Sequence, residues 1–305
     1  MASDFYDHFV VFILDIKLWT GRKTLRPEDL FAGGIDPKSL PPESLASLGS
    51  KRIIGKEALA PFAALKREAE KTCLAVGSRF LGGYAVPNEK VDQVKEELNR
   101  IKINFQQKRQ DFLEHYDQQI AAWITKHPLQ WQEVIQKAVE PVGTVKRSLQ
   151  FHYTPIAIAT PDGFDEDLLH AQADGLFGQL CHEIRQQART AYQTSYQGKT
   201  KVTRKALRPI LAIRKKLAGL SFLNPSVAEA VQAIDDAMAL IPDQGALEGT
   251  SLNLLSGLLG RQLGNFGRQH TADDQETDAD DEDSLVMPTL PLLPAETVPS
   301  LAWDF

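Results

Sequence analysis

From Phe9 the chain runs to Leu14 without a polar residue, and then Leu14, Ile16 and Leu18 alternate with Asp15, Lys17 and Trp19. Apolar side chains at every second position predict a half-buried strand over residues 9–19. Thr20-Gly21 punctuates it. Residues 31–50, with Gly33, Gly34, Pro37, Pro41 and Pro42, read as loop, and residues 51–55 allow a second short strand. The period then changes: Leu59, Phe62, Ala69, Cys73 and Val76 fall on one face of a helix over 56–76, with Gly77 as its left-handed C-terminal cap. Ser78 to Pro87 predicts a strand or a tight hairpin around Gly82-Gly83. Asn88 is placed to cap a helix reaching about Lys126, where Pro128 stops it. Its stripe of Val91, Val94, Leu98, Ile101, Phe105, Phe112, Tyr116, Ile120 and Trp123 implies a single element about 55 Å long. Its other faces are dense in Glu, Gln, Lys and Arg, the pattern of a coiled-coil-like arm packed on one other helix or on a partner.

A second helix from Leu129 to Val139 closes at Pro141, and Thr144 to Thr160 returns to strand character, with Pro155 marking a sheet edge. After Pro161 the chain is helical almost to residue 264. Leu169, Ala173, Leu176, Leu180 and Ile184 form one stripe, Asn224-Pro225 opens a helix, and a leucine-rich, glycine-broken segment spans Leu247 to Leu263. The predicted class is therefore α+β and mainly helical. Residues 9–19, 78–86 and 144–160 form a small antiparallel sheet, the long helix projects from it, and the C-terminal half is helical. Three regions follow: 1–160 as an α/β platform with a helical arm at about 89–139, 161–267 as a helical region packed on it, and 268–305 as a tail.

Composition matters chiefly at that tail. Residues 273–305 hold ten acids and no Lys or Arg, so that residues 1–272 carry 34 basic and 30 acidic groups. The body is mildly basic, whereas the tail is acidic and then rich in Pro and Leu. Such a segment buries too little apolar area to offset its conformational entropy and is expected to be disordered when free. It ends in Trp303, Asp304 and Phe305. Aromatic residues beside a chain-end carboxylate suit a docking peptide, a logic similar to the acidic, aromatic-tipped tails of bacterial single-stranded-DNA-binding proteins. A second charge feature lies between Ile184 and Ala228, where ten basic residues occur with no acid. They include Lys199, Lys201, Arg204, Lys205, Arg208, Arg214, Lys215 and Lys216, with Tyr192 and Tyr196 just before the densest part as candidate stacking platforms. That stretch fits nucleic acid, an acidic peptide, or only solvent. The acidic tail is also a candidate to mask it.

Reaction motifs are absent: there is no phosphate loop, no His-Glu-x-x-His and no Gly-x-Ser-x-Gly. The seven histidines do not pair with cysteine at zinc-ligand spacing. Cys181, His182 and Glu183 adjoin, but neighbours on a helix point about 100° apart and make no nucleophile–base pair. The acids from Asp162 to Asp167 read as a helix cap rather than a calcium loop. No cofactor or metal is expected. Cys73 and Cys181 read as structural thiols of a reducing cytoplasm, and neither a signal peptide nor a spanning segment is indicated.

The segments Leu14-Asp-Ile-Lys-Leu-Trp-Thr-Gly-Arg-Lys-Thr-Leu-Arg-Pro-Glu-Asp-Leu30, Leu48-Gly-Ser-Lys-Arg52 and Arg79-Phe-Leu-Gly-Gly-Tyr-Ala-Val-Pro87 resemble an uncharacterised bacterial family of conjugative plasmids and integrative mobile elements. Genes of that family often lie near a MoxR-type AAA+ ATPase and a protein with a von Willebrand A domain. The resemblance covers roughly the first half of the chain and supplies no catalytic residues. It implies an accessory of a mobile element with that ATPase or its von Willebrand A-domain protein as partner. The leading expectation is a non-enzymatic, cytoplasmic scaffold or adaptor, with homo-oligomerisation through the long helix open. Nucleic-acid binding through the basic stretch is the alternative. An enzyme with an unfamiliar site is the third reading.

Overall fold

The structure is a computed structural model describing residues 5–30, 34, 40–42, 44–159 and 166–268. The chain divides into a unit Met1–Gln269 and a second unit His270–Phe305. The tail, with the candidate docking residues Trp303, Asp304 and Phe305, lies outside the described residues, as do Asp162 and Asp165.

In chain order the elements are β1 (Phe9–Lys17), β2 (Arg22–Thr24), α1 (Pro27–Leu30), β3 (Ser50–Arg52), α2 (Lys56–Leu74), β4 (Ser78–Phe80), β5 (Gly83–Pro87), α3 (Val91–Glu114), α4 (Tyr116–Thr125), α5 (Leu129–Gln136), α6 (Val142–Ser148), β6 (Gln150–Ile156), α7 (Glu166–Ser195), β7 (Lys201–Val202), α8 (Arg208–Gly219), α9 (Pro225–Ala239), β8 (Leu247–Glu248) and α10 (Gly249–Gly257). The main sheet is antiparallel in the order β4-β5-β1-β6. β1 pairs with β5 from Phe9 opposite Pro87 and with β6 from Val11 opposite Ile156, so its middle is flanked on both sides.

The apolar run at the start of β1 has a cause in packing. Phe12, with Val10, Leu14 and Ile16, faces a core built with α2 and α3, whereas Phe9, Val11 and Ile13 face Leu176 of α7 and Phe222. A strand buried on both faces reads as a continuous apolar stretch rather than an alternation. The strand expected to be half-buried is so only beyond Leu14, where Asp15 and Lys17 are exposed.

The long helix is present but does not project. It is interrupted at His115 between α3 and α4, and its stripe is used inside the chain: Val94, Leu98, Ile101, Phe105, Phe112, Tyr116 and Ile120 are all buried. Phe105 packs its ring 5.2 Å from that of Phe62 on α2 and 5.5 Å from that of Phe151 on β6. Two other expectations change for local reasons. Residues 142–148 are helical, with Val145 fully buried; Leu149, extended and also fully buried, ends the helix and leads into β6, so the strand begins only at Gln150. Asn88 does not cap α3; its side-chain amide donates to the Asp7 carbonyl at 2.6 Å, and a 3-10 turn over Asn88–Lys90 leads into the helix. The predicted cap of α9 does form, with the Asn224 carbonyl oxygen accepting from the Ser226 amide at 2.9 Å.

The helical C-terminal half is a separate cluster. Leu180, Ile184 and Ala188 of α7 meet Ile210, Ile213 and Leu217 of α8, Val227 and Ile234 of α9, and Leu252 and Leu255 of α10. After α10 the helix widens into a π-helical segment, Leu258–Gln262.

Candidate interaction surfaces

The basic stretch lies on α7, α8 and the loop joining them, and much of it is already engaged. The Arg214 guanidinium donates to both oxygens of Asp235 at 2.7 Å, which raises the arginine pKa and lowers that of the carboxyl. Lys201 pairs with Glu248 at 3.1 Å, Lys199 donates to the Thr194 carbonyl at 2.7 Å, and Arg204 donates to the Pro242 carbonyl. Arg185 donates to the Phe266 carbonyl at 3.0 Å. Among the described residues Arg189, Lys205, Arg208 and Lys215 are exposed and make no ion pair. Arg208 and Lys215, seven residues apart, share one face of α8, with Leu211 45% exposed between them.

Lys216 leaves this set altogether. It is 1% exposed, and its ammonium lies 2.5 Å from Glu183 Oε2. Its position on the apolar stripe of α8, between Ile213 and Leu217, turns it inward, so it cannot reach a phosphate. The aromatic platforms are corrected as well. Tyr196 is 2% exposed with its hydroxyl donating to the Ala206 carbonyl at 2.9 Å, and Tyr192 packs on the C-terminal core.

Glu183 is the centre of a buried polar knot that the sequence reading missed. It accepts from Lys216, from Ser78 Oγ at 3.1 Å, from the Arg79 amide at 3.3 Å and from Gln179 at 2.8 Å. Burial pushes its carboxyl up, and the Lys216 ammonium with the surrounding hydrogen bonds outweighs that, holding it below the ordinary range. Burial lowers the Lys216 ammonium from its ordinary value despite the carboxylate beside it. The knot joins β4 of the sheet to α7 and α8, and its one acid is fully committed to holding them. The legible signal was a charge on each of two apolar stripes: Glu183 beside Ile184, and Lys216 beside Leu217.

The N-terminal motifs also prove architectural. Trp19 donates to Glu140 Oε2 at 2.6 Å, Lys23 pairs with the same carboxylate, and Tyr116 donates to the Glu140 backbone carbonyl at 2.9 Å. Lys51 of β3 pairs with Asp29 of α1 at 2.5 Å, and Trp123 donates to the Arg52 carbonyl at 3.2 Å. Gly82 (φ +74°), with Leu81 (φ +46°), turns the β4–β5 hairpin. Cys73 and Cys181 are free and buried, and burial pushes their thiols up to about 12 and about 11, which disfavours the reactive thiolate. No group of three or more His, Cys, Asp or Glu among the described residues is placed to hold a metal ion, and no described helix is long and apolar enough to cross a membrane.

A groove of about 670 Å³ lies along α3 and the start of α6. On α3 it is lined by Ile103, Leu113 and three glutamines, with Arg109 and Glu114 among them, and on α6 by Val142, Gly143 and Lys146. Ile103 is 55% exposed and Val142 47%, so two exposed apolar side chains line one groove.

Neither the comparison with curated proteins nor that with solved structures returned a match. A family profile does match, over residues 6–262, which takes in both the sheet and the helical C-terminal half. The chain therefore belongs to the family described as "Protein of unknown function (DUF3150)".

Proposed function

We propose that the chain is a non-enzymatic scaffold or adaptor that holds partner proteins in the cytoplasm. One observation carries the reading: Ile103 and Val142, left out on the surface, converge with Leu113 in the α3–α6 groove. Exposed apolar side chains rimmed by amides and by Arg109, Glu114 and Lys146 have the composition of a protein contact, apolar at the centre and polar at the rim. The second handle is Trp303, Asp304 and Phe305, whose aromatic rings and the Asp304 carboxylate suit a basic, apolar-lined pocket on a partner. The resemblance to proteins of conjugative plasmids and integrative elements gives the setting. It makes a MoxR-type AAA+ ATPase, or its von Willebrand A-domain protein, the partner to test. The experiment is a nuclease-treated pull-down from the host with the intact chain and with a chain lacking residues 299–305. Retention of such an ATPase by the intact chain alone is the expected result. Equal recovery by both chains overturns docking through the terminus.

A second reading, nucleic-acid binding, is supported by the cations that stay unpaired. Arg189, Lys205, Arg208 and Lys215 supply four phosphate contacts, so affinity for a DNA duplex would fall with a log–log salt slope of about −3.6. A slope near zero, or binding that survives Lys205→Ser/Arg208→Ser/Lys215→Ser, removes this reading.

A further inference from the structure

The β2–β3 ribbon is architectural on one face only. Its strands pair Arg22 with Arg52, Lys23 with Lys51 and Thr24 with Ser50. Successive side chains on a strand point to opposite faces, so the two lysines share one face, and the two arginines share the other with Thr24 and Ser50. On the lysine face each charge is met within the fold, Lys23 by Glu140 and Lys51 by Asp29. The arginine face has no such partners. Among the described residues neither guanidinium makes an ion pair or a hydrogen bond, and the Thr24 and Ser50 hydroxyls make no hydrogen bond. We propose that this outer face binds phosphate, and that its ligand is the phosphodiester backbone of a nucleic-acid duplex.

The register brings the two arginines together. The Ile53 amide donates to the Gly21 carbonyl at 2.9 Å, and the Leu25 amide donates to the Gly49 carbonyl at 3.0 Å. These bonds fix the alternation along the ribbon and leave Arg22 and Arg52 as a non-hydrogen-bonded pair, the kind whose Cα atoms lie only about 4.5 Å apart. Like charges directly opposite one another destabilise a ladder, and here no carboxylate offsets them. An oxyanion seated between the guanidiniums turns that repulsion into two charge-assisted contacts, and the planar guanidinium fork matches phosphate oxygens. Thr24 and Ser50 form the next non-hydrogen-bonded pair, about 7 Å along the strands, and their hydroxyls add donors to the same face. Two features select a polymer over a free phosphate. Arg22, Thr24 and Ser50 are exposed and Arg52 is half-buried, so a lone anion on this open face stays in water, where two contacts hold it weakly. A nucleic acid instead brings phosphates in succession and gains from the counterions it releases, and a two-stranded ribbon is narrow enough to enter the major groove of a duplex.

The ribbon is distinct from the cations of α8, and salt dependence separates the two. The measurement is fluorescence anisotropy of a labelled DNA duplex with the full chain, from about 50 to about 200 mM salt. Arg22→Ser/Arg52→Ser removes two phosphate contacts, which should weaken binding about tenfold or more at the low-salt end and make the log–log slope shallower by about 1.8. Made on top of Lys205→Ser/Arg208→Ser/Lys215→Ser, it should bring the same loss, which assigns the loss to the ribbon. Arg22→Glu sets opposite charges across the pair, so it should hold or raise the melting temperature while lowering the affinity, a combination that a merely structural role does not give. Absence of duplex binding at about 50 mM salt overturns the proposal. So does an affinity and slope that the double serine substitution leaves unchanged, or a melting temperature that Arg22→Glu lowers. Inorganic phosphate at matched ionic strength is the last arm. If it raises the melting temperature of the intact chain but not of Arg22→Ser/Arg52→Ser, and the duplex is not bound, the ligand is a small phosphate and the nucleic-acid assignment fails. In each of those cases a partner captured through residues 299–305 would still leave the adaptor reading standing.

Discussion

A lysine carries four methylenes and one charge, and Lys216 shows what happens when both are taken inside. Its stem belongs to the apolar stripe of α8, and its ammonium has left water for the Glu183 carboxylate. Removing one member of such a pair leaves the other buried and uncompensated, a loss of about 3–5 kcal/mol, whereas replacing both with apolar groups is often close to neutral. Lys216→Met should therefore lower unfolding stability by about that amount, and Glu183→Leu/Lys216→Met should recover much of it; urea titration of the three proteins measures both. A double substitution as unstable as the single one would place the loss in Ser78 and Gln179, deprived of their acceptor. At this scale the sequence was legible where a residue acts alone, as in the Asn224 cap. It was not where two residues 33 positions apart complete each other, since a lysine within a basic run looks like its exposed neighbours until α7 is laid against it.

Elements were legible where their period was unambiguous. α2, the β4–β5 hairpin and the order of the C-terminal helices follow from spacing. The start of α6 and the fate of α3 do not, because spacing gives a buried stripe without saying what buries it. Gly77 is a sharper case. A glycine after a helix reads as a left-handed cap, yet it is not among the residues with positive φ, and α2 is capped at Ala75. What it provides is room: a Cβ there would lie 2.2 Å from the Ala85 carbonyl oxygen, where the end of α2 turns under β5. Backbone cannot yield as a flexible side chain can, so Gly77→Ala should destabilise by about 2 kcal/mol or more. Gly82→Ala offers the contrast: its Cβ meets open space, and its cost comes from φ of +74° alone. Thermal melts of the two proteins separate crowding from backbone strain, the larger loss being expected at Gly77.

Across the whole body four carboxylates that tie elements together, Glu183, Glu140, Asp29 and Asp235, are held below their ordinary range. Burial raises Glu183, Glu140 and Asp29, and in each the lysine partner and hydrogen bonds outweigh it; at Asp235 the Arg214 hydrogen bonds lead. A folded pKa below the unfolded one means that the unfolded chain binds more protons through the acid window. The stability these groups give is present above the ordinary values of 4.5 and 3.8, and it is lost as pH falls through and below them. The melting temperature should fall between pH 5 and pH 3 by circular dichroism, and Glu183→Gln should flatten that fall. A pH-independent melting temperature over this range would mean that these pairs contribute nothing to the fold. The polar knot has a further consequence, in time rather than energy. Ser78 and Glu183 lie 105 residues apart, and at about 5–20 residues per second a ribosome needs about 5–20 s to supply the second after the first. Through that interval β4, an outer strand of the sheet, has no α7 to cover it. Nascent chains would be most exposed to edge-to-edge association then, and a chaperone that slowed or shielded that stage would raise the yield of folded protein without altering its final stability.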